Sequence, residues 1–142
     1  MPKVVKSENT YFNQLDVLLG TAERFIDANT LKRDLLRGVK RLTEEAYSPR
    51  WGTTDNSLRF TLLCLKLLDT KVVKAEFRFS QVHWHTVILS TFSGHEIMLK
   101  GFSSGSVCTG SRAAFDILKF CGFRQSQCDN VWEKESFIVS RR

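Results

Sequence analysis

The sequence predicts an α+β fold: an N-terminal αα-hairpin packed on a small antiparallel sheet, with one further helix following a Gly/Ser-rich loop. Three observations carry it. Apolar residues recur at three- and four-residue steps through the first third of the chain, alternate in steps of two through the middle, and return to helical spacing after a glycine loop near residue 105. At 142 residues, read as a single domain over 1–142, the chain can bury a core without disulfide or metal staples.

The elements follow in order. Tyr11, Phe12, Leu15, Leu18, Leu19, Ala22, Phe25 and Ile26 line one face of a helix starting near Ser7. The "DANT" that follows offers capping side chains, and a second helix is expected from Asn29 or Thr30 to about Glu45. On it Leu31, Leu35, Val39, Leu42 and Ala46 share one side, while Arg33, Arg37, Lys40 and Arg41 gather on the other as a basic stripe diluted by Glu44. "SPRWGTTDNS" is a loop by its turn chemistry, and its Trp51 is expected to tuck back into the core. "LRFTLLCLKLL" fits a buried helix or a central strand, with helix preferred. From Val72 the alternation of Val73, Ala75, Phe77 and Phe79 with Lys74, Glu76 and Arg78 predicts a half-buried strand. "HWHTVILST" and "EIMLKGF" make two more strands, joined by a tight turn at "FSGH". Ala114, Phe115, Ile117, Leu118 and Cys121 then give a short helix with Gly122 as its C′ residue, and "VWEKESFIV" a last strand.

Composition narrows function only in part. The 21 basic against 15 acidic side chains leave +6, which favours anionic partners. No apolar run is long enough to span a bilayer, and "MPKVVKSENT" lacks the apolar stretch of a secretory signal, so a cytoplasmic protein with no membrane partner is expected. In that compartment Cys64, Cys108, Cys121 and Cys128 are expected to be reduced. A zinc site from Cys108, Cys121 and Cys128 with a histidine would draw ligands from several elements, and no C-x-x-C pairs them. No metal or cofactor is expected.

The best local candidate is the loop itself. Gly105 to Ser111 reads GSVCTGS and reproduces both glycines of the P-loop pattern between a strand and a helix. Ser111 stands where that pattern needs lysine, and Arg112 where it needs a hydroxyl, so a P-loop NTPase is not expected. A Gly/Ser-rich turn entering a helix nevertheless aims free N–H groups and a positive dipole end at one spot. Gly105, Ser106, Thr109, Gly110, Ser111 and Arg112 are therefore the expected ligand-binding residues, with Ser111 as a capping side chain in the alternative. The order of elements, with "TGSRAAFDILKFCGF", resembles the front part of the GNAT acyltransferases, whose loop holds an acyl-coenzyme A pyrophosphate. The resemblance covers an element order and one glycine, Gly110; Cys108 stands where the family has another glycine.

His83 and His85, two apart on an expected strand, would share a face, and His95 lies across the hairpin; these are the candidates for acid/base chemistry. The stripe of Arg33, Arg37, Lys40 and Arg41 would grip phosphates, helped by Lys32, Arg50, Arg141 and Arg142. The expectation is a small, basic, non-catalytic binding protein for a phosphorylated ligand, a nucleotide or a nucleic-acid backbone. A protein–protein inhibitor or adaptor docking the stripe on an acidic protein surface is one alternative; an acyltransferase-like or histidine-based enzyme is another.

Overall fold

The computed structural model describes residues 14–141, so the start of the first expected helix, with Tyr11 and Phe12, lies outside them. The architecture is α+β, with helices before and after a five-stranded sheet. Helix α1 is Leu15–Gly20, followed by a 3-10 turn at Ala22–Arg24 and by α2, Ala28–Leu36. Asp27 starts α2, accepting bonds from the Thr30 N–H at 3.1 Å and the Thr30 hydroxyl at 2.7 Å.

The second helix is shorter than its periodicity predicts. Gly38 takes φ +86°, and the Val39 N–H reaches back to the Asp34 carbonyl at 3.0 Å, a Schellman stop. The chain then extends into β1, Arg41–Thr43, and turns through a four-residue helix α3, Glu44–Tyr47. Leu42, expected on a helix, is a fully buried strand residue.

Glu44, expected on the surface, has no exposure at all. Asn56 Nδ2 donates to one carboxylate oxygen at 2.6 Å and the Gly52 N–H at 3.3 Å. The Ser57 hydroxyl donates to the other at 2.6 Å and the Lys100 N–H at 3.1 Å. One buried carboxylate thus ties the loop 48–53, the next helix and the end of a strand together, its charge met by neutral donors rather than a cation. Because the loop is pinned here through its backbone, Trp51 does not tuck in and is 48% exposed.

The leucine-rich segment is helix α4, Thr54–Leu68, with Thr53 accepting from the Asn56 N–H at its start. Leu58, Phe60, Leu62, Leu63 and Cys64 are buried around much of its circumference, which is why its apolar pattern shows no clean period. Strands β2, Val72–Ser80, β3, Trp84–Thr91, and β4, Glu96–Leu99, form the expected antiparallel meander, with Gly94 in the β3–β4 turn at φ +88°. The sheet order is β1-β4-β3-β2-β5, and β1 adds a parallel edge, so the sheet is mixed rather than wholly antiparallel.

Helix α5, Thr109–Phe120, follows the glycine loop and ends with the Phe123 N–H on the Leu118 carbonyl, Gly122 taking φ +93° as expected. Two further one-turn helices, α6, Gln125–Cys128, and α7, Asn130–Glu133, take Val131 and Trp132 out of the expected last strand. Strand β5 is only Phe137–Ser140. Leu42, Ala75, Phe77, Val87, Leu89, Ile97, Leu99 and Val139 face the helices and share one core with Leu31, Phe60, Ile117 and Leu118.

Candidate nucleic-acid interface

The loop that reads best in sequence spends its polar groups inside the protein. The Gly105 N–H donates to the Val131 carbonyl at 2.7 Å, and the Ser104 hydroxyl to the Glu135 carbonyl at 3.0 Å. Ser111 does not cap α5; it is fully buried in the first turn, and Gly110 beside it is buried where a Cβ would lie 2.6 Å from the Ser103 hydroxyl. Ser106 and Thr109 are exposed and Arg112 half-buried. The glycine that aligns with the GNAT loop therefore serves close packing.

The N-cap of α5 is Cys108, an exposed thiol. Partial burial alone would raise it, but Ser103, Ser111, the Ser111 N–H and Ser106 all bond the sulfur, and together they hold it down to about 7. Ser103 Oγ is 3.1 Å away and Ser111 Oγ 3.4 Å. Burial instead pushes Cys121 up to about 12, against the pull of Arg141, and Cys128 to about 11. All four cysteines are free, and Cys108 alone among them has thiolate character near neutral pH. In the sequence it is only one residue of a P-loop-like string; its place at the N-cap could be read there, its hydroxyl partners could not.

The expected basic stripe is not one helical face. Arg33 is on α2, Arg37 is its C-cap, Lys40 is in the link and Arg41 is on β1, where its Nε meets Glu96 at 3.2 Å. Nor do His83 and His85 share a strand face. His83 is in the β2–β3 turn, and Trp84 between them has φ +55°, which breaks the alternation. His85 rests on the Phe79 ring at 4.8 Å, and its burial lowers its pKa against the pull of Glu135. His95 Nδ1 bonds Ser93 Oγ at 2.8 Å within the β3–β4 turn, its pKa lowered by burial and by Lys40. No two of the three histidines meet in a common hydrogen bond.

The sheet's other face is different. Its residues belong to no core cluster, although Ile88 and Thr86 are themselves buried, and the described helices bury their side chains on the opposite side. The strand register lays these residues out in rows. Thr43, Met98, Ile88, Glu76 and Ile138 cross all five strands; Arg41, Glu96, Ser90, Lys74 and Ser140 lie beside them. On the other flank, Arg78 pairs with Thr86, whose hydroxyl accepts from Lys100 Nζ at 2.9 Å, and Ser136 bonds the Phe79 N–H at 3.0 Å.

That last row floors a groove of about 520 Å³. Arg78, Lys100, His83, Ser80, Thr86 and Ser136 bring donors to it, Trp84, Phe79 and Met98 bring apolar surface, and none of the described residues lining it is acidic. Glu76 bonds Arg78 Nε at 2.6 Å from the adjoining row, which orients the guanidinium. Trp84 is 68% exposed and meets Phe79 edge-on, with ring centroids 6.3 Å apart. A bulky residue at positive φ costs on the order of 1 kcal/mol, so its conformation is held by the hairpin against a local preference. An exposed aromatic ring beside a row of cationic and hydroxyl donors can stack a planar base and bind phosphate oxygens at once.

Among the described residues no group of three or more His, Cys, Asp or Glu could hold a metal ion, and no helix is long and apolar enough to cross a membrane. No known protein family matches the chain, and neither a curated protein nor a solved structure is similar to it.

Proposed function

We propose that this chain is a nucleic-acid-binding protein that takes the strand on the sheet face that no described helix covers, the phosphorylated ligand lying there rather than in the glycine loop. The supporting observation is the row Lys100, Thr86, Arg78 and Ser136 beside the exposed ring of Trp84, in a groove none of whose described lining residues is acidic. Phosphates meet Lys100, Arg78 and, on the far flank, Lys74; an unstacked base lies on Trp84. The net charge of +6 draws the polyanion in, and the hydroxyls of Ser80, Thr86 and Ser136 bond phosphate or sugar oxygens. Single strands are preferred to duplexes, because only an unpaired base offers its face to the indole.

Fluorescence polarisation of labelled oligothymidylate, with a duplex of equal length as comparison, tests this reading. With three cations engaged, affinity falls roughly twenty-fold between 50 and 200 mM salt. A combined Arg78→Ala and Lys100→Ala variant weakens binding and flattens that slope. Absence of binding at low salt, or binding that this variant leaves unchanged, would overturn the reading.

A further inference from the structure

A second surface carries charge of one sign, with no ion pair to it among the described residues. Three cavities adjoin one another along it, of about 340, 250 and 310 Å³. Lys71 lines the first and second, Arg141 the second and third, and Cys121 and Gly122 join the first to the third through the chain. Lys66, Lys71, Arg124 and Arg141 are charged residues among its described lining, none of which is acidic. Neither ion pair found among the described residues involves these four. Arg141 Nη1 donates to the Val72 carbonyl at 3.2 Å, which holds its guanidinium where the cavities meet.

The apolar part lies within the same strip. Leu19, Leu62, Leu65, Val72 and Phe120 line the first cavity, and Phe92 stands at the second, 79% exposed. We propose that this strip docks an acidic peptide segment of a partner protein. One aromatic or leucine side chain of the segment fills the first cavity, and carboxylates before and after it pair with Lys66, Lys71, Arg141 and Arg124. Negative charge is required by cations that no described carboxylate pairs. A buried apolar anchor is required by the carbon-lined cavity, where the polar edge of a nucleobase would lose its hydrogen bonds to water. The surface is distinct from the sheet-face groove, with which it shares no lining residue.

The probe is a short fluorescein-labelled peptide of glutamates around one phenylalanine and one leucine. Its control replaces both apolar residues by serine. The apolar-anchored peptide is expected to bind, to lose about tenfold in affinity in Lys71→Glu, and to lose a similar factor in Phe120→Ser. Both residues are exposed, so both variants should retain the parent's unfolding transition. Equal binding of the serine control, indifference to Lys71→Glu, or displacement of the peptide by oligothymidylate in Arg78→Ala/Lys100→Ala protein would each overturn the proposal. So would self-association that Phe120→Ser abolishes, because a second copy would then be the occupant.

Discussion

The glycine loop and the outer sheet face have similar inventories, serines with a nearby arginine or lysine, and put them to opposite uses. In the loop, Gly105, Ser104 and Ser103 bond Val131, Glu135 and Cys108, and the small residues let the chain pack without space for side chains. On the sheet, Arg78 of β2, Thr86 of β3 and Ser136 from the bend before β5 come together on the face away from the core. The composition of a segment therefore says little about a site until the destination of each hydrogen bond is known.

The comparison breaks most visibly at the end of β4, where Glu44 holds the Lys100 amide at the start of the glycine loop. Replacing Glu44 by alanine strands the donors of Asn56, Ser57, Gly52 and Lys100 in the interior and should cost about 3 kcal/mol or more, measured by urea denaturation. Gly101 comes next. A Cβ there would collide with the Thr53 carbonyl and crowd Ser57 Oγ at 2.6 Å, so Gly101→Ala should cost roughly 2 kcal/mol with oligonucleotide affinity kept in the folded fraction.

The sheet face should respond in the reverse way. Trp84→Ala is expected to weaken single-strand binding by about 1 to 3 kcal/mol and to leave the unfolding midpoint nearly unchanged, since the ring is largely exposed and alanine keeps the same positive-φ strain. A matching loss of stability and affinity would mean that the ring is structural.

The smallest effect expected on binding comes from Cys108. With its pKa near 7, its alkylation by iodoacetamide should be half-maximal near neutral pH and fall about tenfold per unit below that, as the thiolate is protonated. Cys121 and Cys128, held at about 12 and 11, should react only in strong base or on unfolding. The alkylated protein should bind oligonucleotide as the parent does, because Cys108 lies outside the groove.

Much of the fold is legible in the sequence, where local periodicity and local partners agree. The alternation through β2, the turn at Gly94 and the stop at Gly122 need only neighbouring residues. The failures occur where a distant partner decides. Leu42 and Val39 fit a helical face, yet Gly38 ends α2 and β4 offers Arg41–Thr43 an edge to pair with, which scatters the expected stripe. Glu44 resembles a surface residue until Asn56, Ser57 and the Lys100 amide are placed around it. Val131 and Trp132 have strand-like side chains but belong to a one-turn helix, with Trp132 against Phe115 at 5.0 Å. The outer-face groove could not be read from any single segment, because Arg78, Thr86, Lys100 and Ser136 become neighbours only through the register of the sheet.

The most direct measurement is a titration of isotope-labelled protein with oligothymidylate, followed by amide and indole NMR shifts. The account predicts that the Trp84 indole and the amides of Arg78, Thr86, Lys100 and Ser136 move together while Gly105 to Arg112 stay in place. Shifts confined to Gly105 to Arg112, with a silent Trp84, would contradict it.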